Sequence, residues 1–226
     1  SQNYWLETEL SDVDYKCIII PTLDDLIRNS KPVSKILNFG WGQIDLKDIR
    51  LYVESAVKCN VNFLEILCTE FFECSDENPT MRGFLPELMK EMWVFYLKAC
   101  YGMMLEKYSA LRHPYPSTAS KIEKFWYDPK QLHHIVRLSI LMKRYIDWAY
   151  PYFTHTWKEK DMLISIKMWE LANEYVDTIA NHHLELAKSL RDSYVVEPTF
   201  NAKNSLIELS YSIIKLHLWK ENQQSL

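Results

Sequence analysis

Residues Ser11–Pro21 read SDVDYKCIIIP, two aspartates followed by a short apolar run that ends in proline. The β-branched run predicts a buried strand over Tyr15–Pro21. Because alternate residues of an extended chain point to the same side, Asp12 and Asp14 are expected to project together at the start of this strand. Two carboxylates in that arrangement can share hard cations such as Mg²⁺.

The segments that follow predict a small mixed sheet and then helices. Residues 47–53 (KDIRLYV) alternate polar and apolar side chains, which predicts a half-buried strand. After about residue 80 the apolar spacing is helical, and one helix is expected to begin at Pro129 with Asp128 as its N-cap. The expected fold class is therefore α+β, with a small mixed β-sheet core in residues 1–80 and a helical bundle in residues 81–226 that packs on it.

A third carboxylate on a neighbouring strand would complete a site for two cations. Asp48 is the first candidate and Asp45 the reserve. Two metal ions can neutralise a triphosphate and activate an attacking hydroxyl, as nucleotidyl transfer requires. A lone Asp-x-Asp is also typical of a solvated turn, so the surrounding sequence has to distinguish the two interpretations.

Composition indicates a soluble globular protein, with 48% hydrophobic and 25% charged residues among 226. The net charge of −4 gives no overall basic field for nucleic acid, although a local basic cleft is compatible with it. Five cysteines without CxxC spacing are expected to be reduced thiols of a cytoplasmic protein. The sequence shows neither a membrane-spanning stretch nor a signal peptide.

The chain resembles bacterial and phage proteins known as predicted nucleotidyltransferases, in the DNA-polymerase-β-like superfamily, and especially a branch associated with RNA repair. The resemblance covers nearly the whole chain to about residue 195. It implies a polymerase-β-like core, a helical part that closes the nucleotide cleft, two Mg²⁺ ions (or Mn²⁺), and a nucleoside triphosphate donor, ATP being favoured. The stretches that carry it are SQNYWLETELSDVDYK (1–16), KDIRLY (47–52), NVNFLEIL (60–67), ACYGMMLEKYSALRHPYP (99–116) and FWYDPKQLHHIVRL (125–138).

The resemblance assigns roles to single residues. Asp12 and Asp14 match the metal aspartates, Asp48 the third carboxylate, and Ser1 the serine of a Gly-Ser turn that holds phosphate. That turn needs glycine because only a backbone without Cβ approaches a phosphate closely. The chain begins at Ser1, inside this pattern, so residues upstream of it are expected.

A second group of candidate residues follows Pro129 on a predicted helix. Lys130, His134 and Arg137 are spaced i, i+4, i+7 and share a helix face. Spacing alone favours a solvated face beside buried apolar residues. The resemblance of DPKQLHHIVR to the family favours contact with the triphosphate instead, for which cationic side chains are suited.

Several tryptophans stand where the resemblance predicts glycine. Trp5 in NYWL and Trp126 in FWYDPK are the clearest cases, and Trp148 and Trp169 are further ones. The chain has eight Trp and four Gly, whereas glycine usage averages roughly 7%. One hypothesis is that UGA codons read as glycine in the source were translated as tryptophan, which UGG codons at these positions would exclude. A genuine Trp5 would narrow the nucleotide pocket.

Three functions stay open at this level. The favoured one is a Mg²⁺-dependent nucleotidyltransferase that moves a nucleoside monophosphate to a hydroxyl on an RNA end, a protein or a small molecule, with release of pyrophosphate. A nucleotide-binding or scaffold protein without turnover is the alternative, supported by Trp5 and the missing glycine. The third is a nucleotidyltransferase of a toxin–antitoxin pair that acts on tRNA or on its partner protein.

Overall fold

The computed structural model describes residue 6 and residues 13–40, 42–67, 96–116, 118–147, 155–168, 170–193 and 201–224. These residues form an α+β fold in which a three-stranded mixed sheet is accompanied by a majority of helical residues. The predicted combination of a small mixed sheet and many helices is confirmed at this level.

The sheet contains strands β1 (Val13–Ile19), β2 (Ser34–Phe39) and β3 (Gly42–Asp48). Their spatial order is β1-β3-β2, with β1 parallel and β2 antiparallel to β3. A strand after the aspartate pair is confirmed, with its start two residues earlier than expected. The predicted burial of this strand is wrong, because residues 14–17 are exposed and residues 18 and 19 are half-buried. The central strand of the sheet is therefore β3, and it is flanked by the strand that carries Asp14.

The strand predicted over residues 47–53 is wrong beyond Asp48. Helix α2 (Ile49–Val57) begins at the next residue, and Asp48 is its N-cap because its carboxylate accepts a hydrogen bond from the Arg50 N–H at 2.9 Å. The same residues also fit helical spacing, since α2 buries Ile49, Tyr52, Val53 and Ala56 at i, i+3, i+4 and i+7. The alternating residues 47–53 fit the two-residue period of a strand and also the 3.6-residue period of a helix.

The remaining described elements are helices. Helix α6 begins at Pro129 and is capped by Asp128, whose carboxylate accepts a hydrogen bond from the Lys130 N–H at 3.0 Å, so this predicted start is confirmed. The helices besides α2 are α1 (Leu23–Ile27), α3 (Val61–Leu67), α4 (residues 96–110), α5 (Ala119–Phe125), α6 (Pro129–Ile146), α7 (Trp157–Lys167), α8 (Asn173–Ser193) and α9 (Asn201–Gln224). Among the described helices, none is long and apolar enough to cross a membrane.

The chain divides into two compact units, and the division differs from the one predicted at residue 80. The sheet unit comprises residues 9–92 and 198–226, and the helical unit comprises residues 1–8 and 93–197. The last helix belongs to the sheet unit because α9 contacts α2 and Glu221 Oε2 accepts a hydrogen bond from the Leu23 N–H at 3.3 Å. The helical apolar spacing after about residue 80 predicted helix in this part of the chain, but it does not identify the element that packs against α9.

Helix α6 is the centre of the helical unit. It contacts both α7 and α8. Its side chains are buried on most sides, which matches the near-continuous apolar pattern of its second half. The fully buried residues include Leu132, Ile135, Val136, Leu138 and Leu141.

Trp126 occupies a backbone position that glycine usually takes. It follows α5 in the left-handed conformation, with φ of 67°, and its N–H donates to the Ile122 carbonyl oxygen at 2.7 Å. Helices commonly end in this way on glycine, which has no Cβ to clash. The indole is 68% exposed, so little burial offsets the strain. This geometry supports glycine at position 126; Trp5, Trp148 and Trp169 lie outside the described residues.

Replacing Trp126 with glycine is expected to stabilise the protein by about 1 kcal/mol, because the left-handed conformation costs a non-glycine residue about 1–2 kcal/mol. Urea unfolding followed by circular dichroism measures the change. Trp219→Gly is the matched control, since Trp219 is 61% exposed but lies within α9, where glycine should destabilise the helix. Equal destabilisation by the two substitutions would contradict the expected strain at Trp126.

Candidate functional site

One face of the sheet carries four charged side chains. The register pairs Lys16 with Asp45, and Asp14 with Gln43. Paired residues of neighbouring strands project to the same side, and residues two apart on one strand do so as well. Asp14, Lys16, Asp45 and Lys47 therefore share one face, which we call the charged face.

The opposite face of the sheet is mainly apolar. Tyr15 is paired with Ile44, which is paired in turn with Leu37 on β2. Lys35 also lies on this face, because it is paired with Leu46, the residue between Asp45 and Lys47. The sheet thus separates Asp14, Asp45 and two of its lysines from a mainly apolar surface.

Asp14 and Asp45 are close enough to act on a common ligand. Asp45 lies two residues beyond the partner of Asp14, a diagonal relation in which Cα atoms are about 7–8 Å apart. Asp14 is exposed, and the Asp45 carboxylate is 24% exposed with its Oδ2 3.5 Å from Lys16 Nζ. Both carboxylates can therefore reach a cation on this face.

Asp48 is not part of this arrangement, contrary to the prediction that it is the third carboxylate. It is paired with Ile19, five residues along β1 from Asp14, which is about 16 Å at about 3.3 Å per residue. By strand alternation it also projects from the opposite face. The structure therefore brings the reserve candidate Asp45, and not Asp48, next to Asp14.

The Asp48 carboxylate instead holds the start of α2. It is almost fully buried, and it accepts hydrogen bonds from Arg50 Nε at 2.9 Å and from Arg50 Nη2 at 2.7 Å. Burial alone would raise the pKa of this carboxyl, but the hydrogen bonds and charge of Arg50 outweigh burial and lower it. A carboxylate with both oxygens bound to one guanidinium is a structural ion pair.

A phenyl ring from α3 lies against the two lysines of the charged face. The Phe63 ring centroid is 4.5 Å from Lys47 Nζ and 5.5 Å from Lys16 Nζ, within the range of cation–π interactions. Tyr52 of α2, which is fully buried, fixes Phe63 by donating its hydroxyl to the Phe63 carbonyl oxygen at 3.1 Å. The aromatic pair therefore holds α3 against the charged face.

The residues of the charged face fit a magnesium ion in their chemistry. Mg²⁺ takes oxygen ligands and is usually bound through one or two carboxylates together with phosphates and water. Asp14 and Asp45 supply such a pair. In the part of the chain that the structure describes, no group of three or more His, Cys, Asp or Glu residues could hold a metal ion. The other two predicted residues, Asp12 and Ser1, lie outside the described ranges.

The predicted phosphate-binding residues of α6 lie in the helical unit and differ in their surroundings. Lys130 is exposed in the first turn, whereas Arg137 is buried. Burial, reinforced by the charge of Arg137, lowers the pKa of His134 to about 2, so this imidazole is neutral near pH 7. The spacing predicted three potential cations on this face, and His134 is not a cation near pH 7. Their contact with phosphate stays a prediction.

Comparison of the chain with protein-family models, with curated proteins and with solved structures finds no match. Since no relative indicates the function, the charged face is the feature of the described residues that bears on it most directly. Sequence reasoning missed two of its residues, Lys16 and Lys47, and the Phe63 ring that lies against them. The signal was the alternation DYK and DLK, in which each aspartate is followed two residues later by lysine.

Proposed function

We propose that the protein is a Mg²⁺-dependent nucleotidyltransferase, which transfers a nucleoside monophosphate from a nucleoside triphosphate to a hydroxyl group. The observation that carries the proposal is the diagonal pair of Asp14 and Asp45 on adjacent parallel strands. The sequence adds Asp12, which alternates in phase with Asp14. The family resemblance of SDVDYK supports the same chemistry.

The reaction joins the acceptor oxygen to the α-phosphorus of the nucleotide. The bond from the α-phosphorus to the bridging oxygen of the β-phosphate breaks, and pyrophosphate leaves with the electron pair. When bound by Asp14 and Asp45, magnesium supplies positive charge that neutralises the phosphates. The Asp45 carboxylate accepts the proton of the acceptor hydroxyl, as a positioned base would. RNA ends, protein side chains and small molecules all carry suitable hydroxyls.

A second candidate is a nucleotide-binding or scaffold protein without turnover. The ion pair of Lys16 Nζ with Asp45 Oδ2, at 3.5 Å, favours it, since Lys16 occupies one carboxylate oxygen. For Asp45 to hold magnesium, this ion pair would have to open, or Asp45 would have to bind the ion through its other carboxylate oxygen. An exposed ion pair of this length is weak, so either rearrangement costs little.

Incubation with α-labelled ATP, CTP, GTP or UTP, Mg²⁺ and total RNA or cell extract tests the proposal. Transfer of the label to RNA, protein or a small molecule, with release of pyrophosphate, is the expected result and identifies the acceptor class. Saturable binding of nucleotide without transfer from any of the four would support the second candidate. A reaction without Mg²⁺ or Mn²⁺ serves as the control.

A further inference from the structure

Lys47 is a half-buried cation without a carboxylate beside it. Within the described residues its ammonium forms no ion pair, and its charged group contacts the face of the Phe63 ring at 4.5 Å. Lys16, the other lysine of the charged face, differs because it is paired with Asp45. Lys47 therefore keeps its three N–H donors available for a ligand.

The position of Lys47 relates it directly to the carboxylates. It is two residues from Asp45 on β3, so the two side chains project to the same side about 6–7 Å apart along the strand. Along the strand direction, Asp14 and Lys47 lie on opposite sides of Asp45. The charged face thus has its acidic pair at one end and an unneutralised ammonium at the other.

Physical chemistry favours an anion at this ammonium. Partial burial of a charge costs free energy unless an opposite charge or hydrogen-bond acceptors compensate for it. The Phe63 ring compensates in part and fixes the side chain, but it accepts no strong hydrogen bonds. Phosphate oxygens would accept from the ammonium, and lysine is a common point-charge ligand of phosphate.

We propose that Lys47 binds the β- and γ-phosphates of the nucleotide whose α-phosphate lies at Asp14 and Asp45. The inference rests on the proposed nucleotidyl transfer and adds the sheet unit's own cation for the triphosphate tail. The Phe63 ring is the positioning group, since it holds the ammonium on the charged face.

Calorimetric titration of the full chain with ATP, with inorganic tripolyphosphate and with adenosine, all in Mg²⁺, tests the role of Lys47. Lys47→Gln is expected to weaken ATP and tripolyphosphate binding about 10- to 100-fold, the range for a lost charge-assisted hydrogen bond. Adenosine affinity should not change. Lys47→Arg should retain most of the affinity because it keeps the charge. Lys35→Gln removes an exposed lysine from the opposite face and should leave all three affinities unchanged.

The inference would be overturned if Lys47→Gln bound tripolyphosphate as tightly as wild-type protein does. It would also be overturned if the substitution raised only the KM for the acceptor. Lys47→Met, which keeps the apolar stem over Phe63, replaces Lys47→Gln if the latter does not fold. Label transfer by wild-type protein separates the two proposals. If wild-type protein transfers label and Lys47 variants bind normally, only the Lys47 inference fails; if it neither binds nor transfers, both fail.

Discussion

Asp45→Asn is expected to reduce the rate of nucleotidyl transfer at least about a thousandfold, whereas Asp48→Asn should keep kcat within about threefold of wild type. The first substitution removes an anionic oxygen from the charged face and with it the proposed base. The second substitution removes a charge on the opposite face, where the Asp48 carboxylate neutralises Arg50. Initial rates with α-labelled ATP at saturating Mg²⁺ measure both effects.

The two variants also separate catalysis from stability. Asp48→Asn should lower the free energy of unfolding by about 1–3 kcal/mol, because charge-assisted hydrogen bonds from Arg50 are lost. Asp24→Asn is the control, because it removes an exposed aspartate of α1 in the same unit that is ion-paired with Arg28 on the surface. A folded Asp48→Asn that is as inactive as Asp45→Asn would contradict the assignment of Asp45.

Acidification from pH 7 to pH 4 is expected to destabilise the helical unit strongly. Burial, reinforced by the charge of Arg137, lowers the pKa of His133 to about 3 and that of His134 to about 2. Burial is also the main cause that lowers the pKa of His155 and of His183 to about 4 each. The unfolded chain takes up protons at these histidines near pH 6.5, where the folded chain does not.

Stability should therefore be complete above about pH 6.5 and fall as the pH drops towards the folded-state pKa values. One histidine whose pKa falls from about 6.5 to about 4 contributes a loss of about 3 kcal/mol at pH 4, which is a large part of a typical domain's stability. Urea unfolding between pH 7 and pH 4 measures the slope. His183→Gln should make stability depend less steeply on pH. His113→Gln, which replaces an exposed histidine, is the control and should leave the slope unchanged. Equal urea stability at pH 7 and pH 4 would contradict a folded state in which these histidines are neutral.

Sequence patterns predicted the elements that depend on residues close together in the chain. The apolar run after Asp14 formed β1, and the Asp128–Pro129 pair began α6. The alternating stretch after Lys47 was ambiguous, because it fits a strand and also the buried face of α2. The alternation alone did not show that β3 ends at Asp48, where this residue caps α2.

The composition of the charged face depended on register, which single-sequence patterns do not reveal. Asp45 and Asp48 are three residues apart, so on a strand they project to opposite faces, and only the pairing of Lys16 with Asp45 decides which one accompanies Asp14. The contact of Phe63 with Lys47 likewise joins α3 to β3, which are separated in the sequence by helix α2. The glycine expected at Trp126 came from the family resemblance, and the backbone geometry supplied its physical reason.

Binding of Mn²⁺ in the presence of a non-hydrolysable ATP analogue, followed by electron paramagnetic resonance, tests the charged face most directly. We expect wild-type protein and Asp48→Asn to bind the ion with similar affinity, and Asp14→Asn and Asp45→Asn to lose it. Full binding by Asp45→Asn, or loss of binding in folded Asp48→Asn alone, would show that the cation lies elsewhere.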